Sequence, residues 1–358
     1  MNPRRHWCER IGTRFGLGIC TAGLALLLLC SIPAWASERP SEDEGGIGCS
    51  IFVVQVGDSV WFGNNVDDGN PRTFYSISPA RGEGEYGYIT LGFNQPQGGL
   101  NEAGLAFDTN AVPSAALISH PELPRHAQGA IGIVLEILRY AATVEQALEI
   151  AESYHWGDEL ANQWLIADAQ GDAVVISAGR DGELAFTRKK PGDGYLTSTN
   201  INRSRSPLVA ACPRFRTISR MLARSVRAGS MVVQDVVDVL DAAHQEGIFL
   251  REGVLLNTVY SNVYDLNSRQ IILYYWYQFD APRTLQLDEE LAKGSMRIRV
   301  RDLFPGEVVR RAAAENERLL EQAEHRRELA RAWMPVVGAT ALLGIALLVG
   351  SVLLHDGS

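Results

Sequence analysis

Two kinds of apolar spacing alternate along the middle of this chain, and their order limits the fold more than any other feature. Ser50-Ile-Phe-Val-Val-Gln-Val56 is rich in strand-forming residues; Gly57-Asp58 turns it and Val60-Trp-Phe62 returns. Residues 86–93 predict another strand. Helical spacing follows over 130–141 and 144–153. Two strand patterns, 164–169 and 173–177, then flank Gln170-Gly171 as a hairpin. Residues 214–227 and 231–243 predict helices, and a late strand pair at 258–264 and 270–277 turns at Asn267-Ser268. Strands, helices, strands, helices, strands is not a βαβ alternation. It predicts an α+β fold of antiparallel sheets covered by helices, not a doubly wound parallel sheet.

Both ends carry apolar runs. Arg4, Arg5, Arg10 and Arg14 precede a mostly apolar stretch over 17–29, and Ala34-Trp35-Ala36 has a small-x-small cleavage pattern, so residues 1–36 read as a signal peptide. Residues 335–354 carry no charge over about 20 residues, enough for a membrane span. The charged segment 306–334 between the domain and that run predicts a solvated helical stalk. These features place the domain expected over 49–305 outside the cytoplasm on an anchored, exported protein. Arg318, Arg326, Arg327 and Arg331 then lie on the outer side, against the positive-inside tendency, which long translocated domains override. With a formal net charge of -9, a nucleic-acid partner is not expected.

Of 5 cysteines, Cys8, Cys20 and Cys30 fall in the signal segment, leaving Cys49 and Cys212. The segment 37–48 is acidic and Gly-rich with little to bury, and it ends at Cys49. A cysteine at a strand start is, taken alone, more often structural. A nucleophilic one needs a base. No histidine among His120, His126, His155, His244 and His325 sits in a cysteine-protease signature. Cleavage of the Gly48–Cys49 bond would supply a base on the same residue: an α-amine with an unperturbed pKa of about 7.7–8.0 can accept the thiol proton and later protonate the leaving amine.

The residues around Cys49 make that arrangement specific. Cys49-Ser50 opens a hairpin, and Gly63-Asn64-Asn65-Val66-Asp67 follows. This resembles the opening of the choloylglycine hydrolase and penicillin V acylase family of N-terminal nucleophile hydrolases, in which Gly-Arg-Asn-x-Asp stands at this spacing; here Asn64 takes the arginine's place. Gly99-Leu-Asn-Glu-Ala-Gly-Leu105, the hairpin around Asp168, Thr199-Asn200 and Arg214-Phe215 are similar to later family segments in the same order. The resemblance spans about residues 49–287.

It implies a four-layer αββα sandwich and a set of roles. Cys49 would be the nucleophile and its α-amine the base, with Asp67 holding that amine. Asn200 would donate its side-chain amide to the oxyanion, and a backbone N–H near Asn110 would be the second donor; Thr109 or Ala111 could equally match that position. Arg214 would sit beside the sulfur. The structural alternatives are a turn carboxylate for Asp67, loop roles for Asn110 and Asn200, and a solvated helix-start cation for Arg214. The expected substrate is a small N-acyl amide, cut through a thioester. Acyl transfer from the same site and a non-catalytic anchored binding protein remain alternatives. Asn64 removes a charge that could guide an anionic substrate. No cofactor or metal is expected, since no Cys/His cluster has zinc spacing and no phosphate-binding glycine loop appears.

Overall fold

The computed structural model describes residues 48–249 and 255–355, without the side chains of residues 249, 330 and 334–355. The signal and leader segments expected before Gly48 lie outside the described residues. Glu44–Ala323 form one compact unit, and residues from Glu324 onward belong to another.

Within the first unit, strands β1 (Ser50–Val56), β2 (Ser59–Asp68), β3 (Phe74–Ser78), β4 (Tyr88–Gly92), β5 (Pro96–Asn101) and β6 (Ala106–Ala116) come first. Helices α1 (Gly129–Tyr140) and α2 (Val144–Glu152) follow, then β7 (Glu159–Ala167), β8 (Ala173–Ala178), β9 (Leu184–Arg188) and β10 (Tyr195–Ser198). After α3 (Pro213–Ala228) and α4 (Val233–Asp241) come β11 (Ile248–Phe249), β12 (Leu255–Asp265), β13 (Gln270–Tyr275), β14 (Arg283–Gln286), α5 (Leu287–Leu291), β15 (Met296–Arg299) and α6 (Gly306–His355).

The strands form two antiparallel sheets. One runs β10-β1-β2-β12-β13-β14 with β11 on β12; the other runs β15-β3-β4-β5-β6-β7-β8-β9. Alternation along β1 shows how they stack. Ile51 and Val53 face the core between the sheets, with Phe62, Tyr75, Ile89, Leu165 and Tyr260. Phe52 and Val54 face the other way, onto Ile218 and Leu222 of α3 and Val236 and Leu240 of α4. The second sheet turns Phe107, Trp164 and Ile176 toward Ile133, Ile137 and Leu138 of α1 and Ala147 of α2. Both faces of each sheet are therefore covered, so central strands are apolar on both sides. The result is the expected sandwich of two sheets between two helix layers.

Two of the motifs prove to be structural. Asn101 Nδ2 donates to the Leu138 and Ala141 carbonyls at the end of α1, and its Oδ1 accepts from Ala103 N and Leu105 N. Those are helix-end carbonyls with no partner inside the helix. Asp168 accepts from Val144 N at the start of α2 and from Gln170 N and Asp172 N of its own turn, tying hairpin to helix. At Gly63, opposite Phe52 in the β1–β2 ladder, an added Cβ would stand 2.4 Å from the Phe52 ring. The glycine of that motif is thus demanded by cross-strand packing.

The charged segment after residue 305 differs from a fully solvated stalk. Val308, Ala312, Leu319 and Ala323 of α6 are buried, Arg311 pairs with Asp280, and Tyr277 donates to Glu315. An apolar stripe recurring through the charges lets the start of the helix pack on the sandwich. Among the described residues no helix is long and apolar enough to cross a membrane. The run 335–354 lies within α6, but its side chains are outside the described residues.

Candidate active site

Cys49 sits at the start of β1, on the face that turns into the space between the sheets, and is buried. Cys49 and Cys212 are both free thiols. Arg214, at the first turn of α3, is 8% exposed and reaches back to this strand end. Its Nη1 donates to the Cys49 carbonyl at 2.7 Å, to Ser50 Oγ at 2.8 Å and to the Gly48 carbonyl. Its Nη2 donates to Asn200 Oδ1 at 3.2 Å. Asn110 Nδ2 donates to the Cys49 carbonyl at 3.1 Å. Asp67 Oδ2 lies 3.8 Å from Arg214 Nη1, and Asp67 Oδ1 accepts from the hydroxyl of Thr258, its cross-strand partner on β12. Cys49, Asp67, Asn110, Asn200 and Arg214, up to 165 positions apart, thus converge on one strand end.

Two details differ from expectation. Asn110 reaches Cys49 through its side chain, whereas a backbone donor was expected there. The chain also assigns the neighbours: Thr109 keeps its hydroxyl buried without a partner, and the Ala111 carbonyl accepts from Asn200 Nδ2 at 2.8 Å. The Asn200 amide is therefore held on both sides, oxygen toward Arg214 and nitrogen toward Ala111.

Several supporting residues carry no signal in the sequence. Gln163 on β7 donates to the Thr199 and Ile201 carbonyls at 2.6 and 3.0 Å, bracketing Asn200. Ser198 donates to Asn110 Oδ1. Thr258 opened a late strand pattern as a single hydroxyl, with nothing to tell it there from an ordinary β residue.

Asn64 is fully buried, and its Nδ2 donates to Asp108 Oδ2 at 2.6 Å and to Asn262 Oδ1 at 3.3 Å. Burial pushes the Asp108 carboxyl well above the usual carboxylate range, although the Thr109 N–H and the Asn64 amide pull it back. A buried amide–carboxyl pair thus fills the place where a cation was the family expectation.

Burial and the Asp67 carboxylate push the Cys49 thiol far above its ordinary range, with a smaller rise from Asp108; the Asp67 backbone N–H and Arg214 act in the opposite direction. The thiol of the uncut chain is therefore protonated, and ionising it requires a base at the sulfur. Four of the histidines are engaged away from the sulfur: His120 bonds Glu122 and Glu183, His126 faces Glu136, His155 Nδ1 accepts from Gly157 N, and His244 faces Asp241 and stacks on Tyr277. Among the described residues no cluster of His, Cys, Asp or Glu could hold a metal ion.

Residues 54–279 match the family of acyl-coenzyme A:6-aminopenicillanic acid acyl-transferase. The chain belongs to this family. Its fold is similar to two variant structures of conjugated bile acid hydrolase from Clostridium perfringens, with TM-scores of 0.54 and 0.55 at 12% and 13% identity, covering 70% of this chain and 96% of that one. It is also similar to penicillin V acylase from Agrobacterium tumefaciens, with a TM-score of 0.51 at 18% identity, covering 63% of this chain and 83% of that one. No curated protein matches the chain. Family membership agrees with the resemblance carried by the sequence motifs, and at these identities the solved structures speak for the fold alone.

Burial raises the Asp67 carboxyl from 3.8 to about 7, against the opposing pull of Arg214 and Thr258. The folded chain then holds a proton that the unfolded chain has released between those values. Stability is highest below the unfolded pKa and falls as pH rises toward about 7. In an uncut Cys49→Ala background, Asp67→Asn is therefore expected to gain on its parent from about pH 4 to about pH 8. Thermal unfolding at the two pH values checks this; a Tm difference that stays constant, or moves toward the parent, would contradict it.

Proposed function

We propose that this protein is a hydrolase of linear amide C–N bonds, active after cleavage of the Gly48–Cys49 bond. The observation that carries this reading is the Arg214 guanidinium, which donates to the carbonyls of both residues flanking that bond beside the Asp67 carboxylate. A carbonyl carbon next to the Cys49 sulfur would be polarised there, both when the leader is cut and when a substrate takes its place.

In the mature chain the α-amine of Cys49 takes the thiol proton, with Asp67 orienting it through a charge-assisted hydrogen bond. The sulfur attacks the amide carbonyl, Asn200 and the neighbourhood of Asn110 stabilise the oxyanion, and the α-ammonium protonates the departing amine. Water then attacks the thioester, giving its proton to the α-amine, and the acid leaves as the thiol is restored. A cleft of about 340 Å³ adjoins Asn200, lined in part by Pro113, Ala115, Ile201 and Arg205, and is the natural approach for substrate. The Asn64–Asp108 pair offers no cation to an anionic acyl group, which favours an apolar acyl chain. If an amine replaces water at the second step the same site transfers acyl groups, the activity named by the family description. The chargeless run 335–354 supports anchoring at a membrane, with the catalytic unit on the non-cytoplasmic side after export.

Incubation of exported, mature protein with a panel of N-acyl amides tests the reading, together with N-terminal sequencing. Release of free amine by protein beginning at Cys49 is the expected result. Full activity in protein that still carries residues before Cys49 would contradict it.

Gly48 makes a further prediction. Its φ is +121°, open to glycine but not to side chains, and an added Cβ would stand 2.5 Å from Asn200 Nδ2. Gly48→Val is therefore expected to slow maturation at least about tenfold by displacing the scissile carbonyl. Intact mass over time reads the uncut fraction; maturation at the parental rate would contradict the assignment.

A further inference from the structure

Helix α3 carries Arg214 into the active site at its first turn and presents a different group of arginines outward. Arg216, Arg220, Arg224 and Arg227 are all exposed, and their spacing puts them on one face over about 16 Å. Among the described residues none of the four has a hydrogen-bonding or ion-pairing side-chain partner. Some exposed arginines elsewhere are paired, as Arg125 with Asp158, Arg188 with Asp172 and Glu145, Arg311 with Asp280, and Arg318 with Glu246 and Glu315; others among the described residues, such as Arg72, Arg81 and Arg283, are not, and what sets the α3 group apart is that four unpaired ones share one helix face. The acids of the neighbouring α4 are engaged otherwise. Asp235 accepts from Val232 N, Asp238 from Gln234, and Asp241 faces His244.

Like charges four apart on a helix repel, and no acidic neighbour relieves them here. The chain as a whole is acidic, at -9, so the stripe is a local reversal of sign. Apolar side chains are absent from the stripe, and the buried Ile218 and Leu222 occupy the opposite face. A flat, purely cationic row suits a diffuse anionic surface better than a shaped protein groove.

We infer that this face of α3 docks on an anionic lipid bilayer. The chain itself names the occupant: the chargeless run 335–354 is long enough to hold it at a membrane, where a cationic row gains from an anionic headgroup layer. The inference thus rests in part on the anchoring proposed above. Docking α3 would hold the catalytic unit in a set orientation, with the helix that carries Arg214 against the lipid.

The full chain tests this in two steps. Flotation with pure phosphatidylcholine vesicles reads the anchor by itself. Hydrogen exchange of α3 is then compared between those vesicles and vesicles containing phosphatidylglycerol. Exchange over residues 216–227 is expected to slow several-fold with phosphatidylglycerol, and to recover at high salt. The variant Arg216→Gln, Arg220→Gln, Arg224→Gln and Arg227→Gln should lose the lipid effect while keeping the parent's unfolding temperature. Equal exchange in both lipids, or protection that survives in the variant, overturns the inference. Protection by soluble polyglutamate but not by phosphatidylglycerol overturns it too and assigns the face to an acidic protein. If the chain does not float with phosphatidylcholine the anchor fails, and flotation that needs both phosphatidylglycerol and the four arginines still supports the docking face.

Discussion

Cys49→Ala is expected to abolish amide hydrolysis, lowering the rate by about 10⁴-fold or more. Nothing nearby can replace the sulfur. Ser50 follows it in the chain, but its hydroxyl oxygen accepts from Arg214 and its side chain leaves the other face of β1. His120, His126 and His244 face carboxylates elsewhere. The same substitution separates two routes of maturation. If the sulfur itself attacks the Gly48 carbonyl, the variant stays uncut, and its intact mass includes residues before Cys49. If a peptidase makes the cut, the variant matures and is still inactive. Hydrolysis retained in either form would remove Cys49 from the chemistry.

Asn200 carries the second large effect. Its Oδ1 is fixed by Arg214, its position by the carbonyls that Gln163 holds on either side, and one Nδ2 hydrogen by the Ala111 carbonyl, so the second Nδ2 hydrogen is the donor left for a developing oxyanion. Asn200→Ala is expected to cost roughly 100–1000-fold in kcat with little change in KM, the signature of a contact made mainly in the transition state. Asn200→Asp is the sharper comparison. It keeps the shape, adds an ion pair to Arg214 and loses the donor, so the fold should hold while activity falls at least as far. Steady-state kinetics on a single amide decides between this and a loop role. A rise in KM alone would leave Asn200 outside the oxyanion's reach.

Much of this site was visible before the fold. Cys49, Asp67, Asn200 and Arg214 stand at motif positions, and the structure gathers all four, together with Asn110, around one strand end. The order of apolar patterns foretold antiparallel sheets under helices. The missed strands had little pattern to offer. Pro96-Gln-Gly-Gly-Leu-Asn101 of β5 alternates nothing, and Asp108 and Asn110 interrupt β6 with polar groups that belong to the interior. The charged helix α6 was harder, because only a sparse apolar stripe marks the part that packs.

What the sequence determined by itself was the chemistry: which residue types stand in which order, that a thiol follows a glycine at a strand start, and that its surroundings hold no histidine motif. Only the tertiary structure decided which partners those groups have. Thr258 meets Asp67 because β12 lies antiparallel to β2 in one register, and a slip of one residue would turn the hydroxyl to the other face. Asn64 meets Asp108 across the two sheets for the same reason. Spacing along a chain records local periodicity, whereas hydrogen bonds between strands depend on registers set by the packing of the whole core.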